Sequence, residues 1–304
     1  MNTSASALIA SLITALTLLT GCAAVSESGR DASPSESASV DEIDLIQIEL
    51  KRLEEEYDAR VGLQVIDTGT GERHAFRADE RFGFASSIKA LAVAVLLHQT
   101  SAEERSQRMM WTKSDVEEAG YSPVTELHVA DGMTLDELAE ATVRFSDNTA
   151  LNVLLEYLGG PAAVQQKLRE AGDPTTVLTD YEPELNDTVP GNPANTTTPA
   201  AFGILLAAAV EGTWLSEDDA EKLITWMTGN ATGDALIRAS APEGWTVSDK
   251  SGGAGAKRND IAVVYPPGED PLVITILTEK NDPEVDYEDA LVADVARVVF
   301  DASR

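Results

Sequence analysis

Apolar and polar residues in the first hundred positions follow a helical period, then a strand-like one, then a helical one again. Residues 43–58 carry apolar side chains at the spacing of an amphipathic helix. Residues 61–67 alternate in polarity and predict a strand, and the turn sequence at 68–71 leads into a second strand that runs through His74. Residues 86–98 are almost wholly apolar, so they predict a buried helix.

The middle of the chain carries signals for helix starts. Thr134 and Glu137 form a capping box, which opens a helix that runs to about Val143. A second helix is predicted over residues 149–157, and Pro161 suits the first turn of the helix after it. The central part is therefore predicted to be helical.

The last third of the chain begins with a broken segment and ends in strands. Residues 180–200 hold four prolines, which predicts a long ordered loop. Strands are predicted at 245–250, 261–265 and 272–278, and the apolar spacing of residues 289–300 predicts a closing helix.

Strands at both ends of the folded part, with helices between them, indicate an α/β fold class. We expect an α/β domain built from residues 42–82 and 229–304, with a helical domain, residues 83–228, inserted between its two parts. The long loop lies at residues 180–198 of the helical domain. Because ligand sites favour the junction between domains, we expect the functional site there.

Composition excludes several classes of function. The 304 residues include 52 acidic and 22 basic ones, giving a formal net charge of -30. Such a charge repels phosphate backbones and anionic lipid, so no nucleic-acid partner and no polybasic membrane contact are expected. One cysteine and three widely separated histidines offer no ligand spacing for a metal, so we expect no metal and no cofactor.

The N-terminus has the features of an export signal. An apolar run over residues 5–20 ends in Leu19-Thr20-Gly21-Cys22, which resembles the lipobox of bacterial lipoproteins. By that resemblance, residues 1–22 form a signal segment and Cys22 is acylated, anchoring an exported protein to the outer face of the cell membrane. The alternative is a leader that is simply cleaved. Residues 23–41, rich in Ser, Ala, Asp and Glu, predict a flexible tether.

The first candidate for chemistry is the pair Ser86 and Lys89 at the start of the buried helix. Residues three apart share a helix face, so Lys89 is expected to reach the Ser86 hydroxyl. Serine is a poor nucleophile unless a neighbouring base takes its proton. The spacing alone is weak, because a chain of this length contains about one such pair by chance.

Three further motifs follow in order and make the pattern specific. They are Ser146-Asp147-Asn148, Glu182-Pro183-Glu184-Leu185-Asn186 and Lys250-Ser251-Gly252-Gly253. Together with Ser86 and Lys89 they resemble the class A serine β-lactamases over residues 42–304. The resemblance implies a mainly antiparallel sheet flanked by helices, an inserted helical domain, and hydrolysis of penicillin- and cephalosporin-type β-lactams through a serine acyl-enzyme.

The resemblance also implies the catalytic roles. Ser86 attacks the lactam carbonyl, and the backbone N–H groups of Ser86 and Gly253 hold the oxyanion. The base for Ser86 is either a neutral Lys89 or Glu182 acting through a water. Ser146 relays a proton to the departing lactam nitrogen.

Turnover depends on Glu182, because an acyl-enzyme persists unless a base activates water against the ester. Asn186 is expected to help hold that water, and the family's bond at Glu182-Pro183 is cis. Asn148 is expected to bind the amide of the substrate's side chain, whereas Asp147 holds its own loop. Without the flanking motifs, Glu182 would be interpreted as a solvated acid.

Recognition of the substrate carboxylate requires local cations in so acidic a protein. Lys250, Ser251 and Arg258 are the candidates, although the connection from Lys250 to Arg258 is about one residue shorter than the family's. Tyr121 is expected to form one wall of the cleft. The alternatives are an ordinary surface arginine at 258 and a structural aromatic residue at 121.

Two other functions share part of this pattern. A penicillin-binding peptidase or transpeptidase acts on cell-wall peptides and has the Ser86 and Lys250 motifs, but it deacylates lactams poorly. An inactive lipoprotein that binds cell-wall fragments is the third hypothesis. The segment from Glu182 to Asn186 favours hydrolysis. We expect a monomer that acts on small β-lactam substrates.

Overall fold

The computed structural model describes residues 40–302. The predicted signal segment with Cys22, and residues 23–39 of the predicted tether, lie outside the described residues. Across the described part of the chain, no helix is both long and apolar enough to span a membrane.

The strands of the described residues are β1 Ala59–Asp67, β2 Arg73–Phe76, β3 Phe82–Gly83, β4 Arg108–Met109, β5 Met133–Thr134, β6 Thr196–Thr197, β7 Thr246–Ala254, β8 Lys257–Tyr265 and β9 Leu272–Lys280. Five of them form one antiparallel sheet in the order β2-β1-β9-β8-β7. Two further antiparallel pairs, β3 with β6 and β4 with β5, are only two residues long on each side. The strands predicted from the alternation of polarity are confirmed, and the last three are longer than predicted.

Helices cover both faces of this sheet. They are α1 Val40–Tyr57, α2 Ile88–Gln99, α3 Ala102–Arg105, α4 Lys113–Ala119, α5 Leu135–Arg144, α6 Asn148–Tyr157, α7 Pro161–Glu170, α8 Pro199–Val210, α9 Glu217–Thr228, α10 Ile237–Ser240 and α11 Asp289–Ala302. The capping box at Thr134 and Glu137 is present, and Pro161 begins α7 as predicted.

Successive residues of β8 supply two separate hydrophobic clusters. Ile261 and Val263 pack into the cluster that contains the buried helix α2. Ala262 and Val264 pack into the other cluster, together with residues of α1 and α11. Because neighbouring side chains of a strand point to opposite faces, this run of apolar residues is explained by burial on both sides. The division into an α/β and a helical domain stays a prediction.

The proline-rich segment after residue 180 is more structured than a plain loop. It contains a short 3₁₀ helix, Glu184–Asn186, and it ends in β6, which pairs with β3. The segment thereby returns to the strand that leads directly to Ser86, and it brings Glu182 toward the same place.

Candidate active site

Ser86 lies in a 3₁₀ turn, Ala85–Ser87, immediately before α2. Ala85 has a positive φ of 45°, a conformation that costs energy for a residue with a side chain. The turn is tied to the sheet, because Asn259 donates from Nδ2 to the Phe84 carbonyl at 3.0 Å. The nucleophile candidate is thus held on a strained, anchored turn rather than inside the helix.

Strand β7 packs directly against this turn because of its glycines. A Cβ at Gly252 would lie 2.8 Å from the Ser87 nitrogen and 3.2 Å from the Ser86 nitrogen. At Gly253 a Cβ would meet the Arg258 Nη1 at 2.8 Å, so glycine there also makes room for a side chain. The motif that begins at Lys250 occupies the C-terminal part of β7, which ends at Ala254.

Lys89 is fully buried and its Nζ is surrounded by oxygens. Nζ lies 2.7 Å from the Ser146 carbonyl, 2.6 Å from Asn148 Oδ1 and 2.9 Å from Glu182 Oε1. Burial lowers the pKa of Lys89, and the charge of Glu182 acts in the opposite direction. Three acceptors match the three N–H donors of an ammonium, whereas a neutral amine has two. The geometry therefore favours a charged Lys89 at rest.

The expectation that Lys89 reaches the Ser86 hydroxyl is wrong. Within residues 40–302, no hydrogen bond joins the two side chains; the Ser86 hydroxyl donates instead to Glu182 Oε1 at 3.3 Å. The physical reason is competition for partners, since Lys89 Nζ is engaged by Ser146, Asn148 and Glu182, and Glu182 Oε1 accepts from the Ser86 hydroxyl. One carboxylate oxygen, Glu182 Oε1, consequently contacts both groups.

Glu182 is fixed at every polar atom. Asn186 donates from Nδ2 to Glu182 Oε2 at 2.7 Å, and the peptide bond from Glu182 to Pro183 is cis, as expected from the family. Asn152 holds the backbone from both sides: its Oδ1 accepts from the Glu182 N–H and its Nδ2 donates to the Glu182 carbonyl, each at 2.8 Å. Sequence reasoning missed Asn152, although it follows Asn148 by one turn of α6.

Ser146 lies between the two buried lysines. Its Oγ is 3.2 Å from Lys250 Nζ and 3.4 Å from Lys89 Nζ. Lys250 is the donor to this oxygen, because the three donors of Lys89 have shorter contacts, so the Ser146 hydroxyl proton is free to be donated elsewhere. Burial, reinforced by the charge of Lys89, lowers the pKa of Lys250 to about 7.

The residues after Ser146 divide into one that holds the loop and one that faces Lys89. Asp147 caps α6 and accepts from the backbone N–H groups of Val124 and Thr125, each at 2.9 Å, which confirms that it holds its own loop. Asn148 accepts from Lys89 and donates to the Ala119 carbonyl at 2.8 Å, leaving one N–H of its amide for a substrate.

Arg258 is neither a free cation nor an ordinary surface arginine. It pairs with Gly253 across β7 and β8, which places it beside the site. Its Nε lies 2.6 Å from Asp289 Oδ1, and its guanidinium covers the ring of Tyr287 at 4.8 Å. Tyr121 is 59% exposed and accepts through its backbone carbonyl from Asn148, so its ring is available to a ligand.

Relatives of known class match almost the whole chain. The model of the β-lactamase enzyme family matches residues 46–303. A β-lactamase of Bacillus licheniformis is 43% identical over 285 residues, which are 93% of this chain and 91% of the relative.

Solved structures show the same likeness. A class A β-lactamase from Clostridium kluyveri aligns with a TM-score of 0.83 and 41% identity, over 86% of this chain and 99% of that chain. A halotolerant bacterial β-lactamase aligns with a TM-score of 0.81 and 42% identity, over 84% and 99% of the two chains.

Proposed function

The chain belongs to the β-lactamase enzyme family as a class A enzyme that hydrolyses the β-lactam ring, and on that premise we propose how its residues divide the reaction. One observation carries the proposal: Glu182 Oε1 accepts from the Ser86 hydroxyl at 3.3 Å and lies 2.9 Å from Lys89 Nζ. The nucleophile, a carboxylate base and a cation thus meet at one oxygen.

In acylation, Glu182 takes the proton of Ser86, and Oγ forms a bond to the lactam carbonyl carbon. Lys89 has its three donors engaged, so it is placed to stabilise charge rather than to act as the base for Ser86. The oxyanion is held by the backbone N–H groups of Ser86 and Gly253, which the close approach of β7 supports. The lactam C–N bond then breaks, and its nitrogen takes a proton from Ser146. Lys89 Nζ lies 3.4 Å from Ser146 Oγ and 2.9 Å from Glu182 Oε1, so it passes a proton to Ser146 and takes the one that Glu182 received, which leaves Glu182 ionised for the next step.

In deacylation, Glu182 takes a proton from a water, and the resulting hydroxide attacks the ester carbonyl. Asn186 orients that water: its Nδ2 holds Glu182, and its Oδ1 is a buried acceptor that bonds to none of the described residues. The C–O bond to Ser86 breaks, and Oγ takes from Glu182 the proton that the water gave up. This base separates hydrolysis from the transpeptidase alternative, in which the acyl-enzyme persists.

Substrate recognition is assigned to the cationic side of the cleft. Lys250, Ser251 and Arg258 bind the substrate carboxylate, against the repulsion of a net charge of -30. Asn148 binds the side-chain amide with its remaining N–H, and Tyr121 forms a wall. The test is hydrolysis of a chromogenic cephalosporin by the purified protein. A stable covalent adduct without turnover would favour the transpeptidase instead.

Export and anchoring rest on the N-terminal sequence. The Leu19-Thr20-Gly21-Cys22 pattern supports acylation of Cys22, and incorporation of labelled palmitate that is lost in Cys22→Ser would test it. Ser86, Glu182 and Lys250 all come from one chain, which supports an active monomer. Sedimentation equilibrium tests that assignment.

A further inference from the structure

A chain of hydrogen bonds begins at Arg238 and ends at the hydroxyl of Ser251. Asp249 is fully buried, and its Oδ1 contacts Arg238 Nη2 while its Oδ2 accepts from Asn230 Nδ2 at 2.7 Å. Burial raises the pKa of Asp249, and the Arg238 charge opposes that shift. Because each of its oxygens accepts from a donor, Asp249 is ionised here.

The direction of every proton in this chain follows from that carboxylate. Asp249 only accepts, so the amide of Asn230 must turn Nδ2 toward it and Oδ1 toward Thr232. The Thr232 hydroxyl donates to Asn230 Oδ1 at 2.8 Å, which uses its single proton. The 2.6 Å contact between Thr232 Oγ1 and Ser251 Oγ must therefore have Ser251 as the donor.

At rest, the Ser251 proton is thus committed to Thr232 and is not offered to a ligand. For Ser251 to donate to a carboxylate, Thr232 must rotate its own proton from Asn230 to Ser251. Asn230 Oδ1 then keeps only the Thr232 backbone N–H, at 3.1 Å. Binding of an acceptor at Ser251 costs one hydrogen bond elsewhere.

We propose that Thr232 is a positioning residue that makes the acceptor site of Ser251 selective for a charged oxygen. This inference rests on the proposed role of Ser251 in binding the substrate carboxylate. A hydrogen bond to a carboxylate is about twice as strong as one to a neutral carbonyl. While Ser251 donates to a ligand, the rotated Thr232 hydroxyl donates to Ser251 Oγ and polarises that bond, and this strengthening is larger for an anion than for a neutral ester.

The test compares two cephalosporins that differ only in a free carboxylate or its methyl ester. Thr232→Val removes the hydroxyl and keeps the branched shape of the side chain. In this variant, kcat/KM for the acid is expected to fall relative to kcat/KM for the ester. The acid-to-ester ratio of kcat/KM should fall by about 2- to 10-fold, the range of one net hydrogen bond. Thr232→Ser retains the hydroxyl and should retain the ratio.

Ser251→Ala separates a failure of this proposal from a failure of the proposed function. Thr232→Val should have no effect on the ratio in the Ser251→Ala background. A ratio that falls in Ser251→Ala but not in Thr232→Val would overturn the role of Thr232 and leave that of Ser251. An unchanged ratio in Ser251→Ala would overturn both. Equal losses for acid and ester in Thr232→Val would show a merely structural role.

Discussion

Asn195 donates a hydrogen bond from Nδ2 to Asp180 Oδ2 at 2.8 Å. This contact joins the two ends of the long loop at residues 180–198 that carries Glu182, the catalytic loop. The resemblance to class A β-lactamases implies an arginine–aspartate pair at these positions, and this sequence carries Asp180 and Asn195 instead, which predicts an Asp–Asn hydrogen bond. Asn195 is 1% exposed, has a positive φ of 55° and accepts from the Thr179 N–H. A hydrogen bond with a neutral partner is weaker than a bidentate ion pair, so the two ends of the catalytic loop are joined less firmly than an arginine–aspartate pair would join them.

Exchanging Asn195 for Asp places two carboxylates in contact. The hydrogen bonds from Thr179 and Asn195 lower the pKa of Asp180, so Asn195→Asp reverses part of that stabilisation. We expect a loss of about 0.5–1.5 kcal/mol in the free energy of unfolding, the value of a typical hydrogen bond. Adding Asp180→Arg should restore it, and a double-mutant cycle on thermal stability measures the coupling.

Turnover of bulky oxyimino cephalosporins should fall in the double variant Asp180→Arg/Asn195→Asp. The stronger contact between residues 180 and 195 restricts the movement of the catalytic loop and thereby the entry of bulky substrates. Simple additivity of the two changes in stability would show that these residues do not act on one another. Unchanged cephalosporin turnover in a stabilised double variant would show that the contact between residues 180 and 195 does not control entry of the substrate.

Glu182→Gln should trap the acyl-enzyme. The amide keeps its size but cannot take a proton from water, so acylation slows and hydrolysis of the ester stops. Mass spectrometry should show a drug adduct on Ser86 that persists for minutes or longer. Glu184→Gln, two residues further along the same loop, is the control and should turn over normally. Rapid release of the drug from Glu182→Gln would contradict the assignment, and Ser86→Ala should show neither adduct nor turnover.

Removing the charge at Arg258 should raise the KM for penicillins. A lost charge-assisted contact corresponds to about 1–3 kcal/mol in kcat/KM. The matched control is Asp289→Asn, which removes the partner at 2.6 Å but keeps the cation beside Gly253. We expect Arg258→Gln to raise KM and Asp289→Asn to leave it low. Equal KM values for the wild type and Arg258→Gln would assign the carboxylate to Lys250 and Ser251 without Arg258.

The titration of Lys250 should appear in the pH dependence of substrate capture. Its pKa is lowered to about 7, so the ammonium that attracts the substrate carboxylate is lost as the pH rises above that value. We therefore expect kcat/KM to fall as the pH rises above about 7. The fall in kcat should occur at a higher pH, because the bound anion stabilises the charged lysine. In Lys250→Arg, which does not titrate in this range, the fall in kcat/KM should disappear.

The same lysine has a defined effect on stability. Its folded pKa lies below the ordinary value of 10.5, so the unfolded chain binds more protons between about pH 7 and pH 10.5. This group therefore makes folding more favourable as the pH rises through that window. Chemical unfolding of wild type and Lys250→Met at pH 7 and pH 9 measures it. A difference between the two proteins that does not change with pH would exclude the shift.

Added sodium chloride should raise the melting temperature. With 52 acidic and 22 basic residues, the folded state is destabilised by repulsion between like charges, and physiological salt screens this repulsion beyond about 8–10 Å. Dense carboxylates suit a protein of a salty habitat, which we propose as the reason for this composition. Thermal unfolding from low to molar salt provides the measurement. Sucrose serves as a control that does not screen charge, and an unchanged melting temperature in salt would argue against the proposal.

The sequence alone determined the elements and the identity of the reacting groups. A capping box such as Thr134 with Glu137 is complete within four residues, so a short stretch of sequence decides the helix start. The apolar runs of β8 and α2 needed burial in any fold, and the ordered motifs of Ser86, Ser146, Glu182 and Lys250 identified the family before any contact was known.

Tertiary structure alone decided which atoms meet. The spacing of Ser86 and Lys89 predicted a contact between them on one helix. The packing of the catalytic loop instead places Glu182, which is 96 residues from Ser86, in contact with both groups. Arg258 is likewise paired with Asp289, 31 residues away. Local sequence sets which face a side chain occupies, whereas its partner across the molecule depends on how distant segments pack. Burial then fixes the charge and proton direction of the groups brought together.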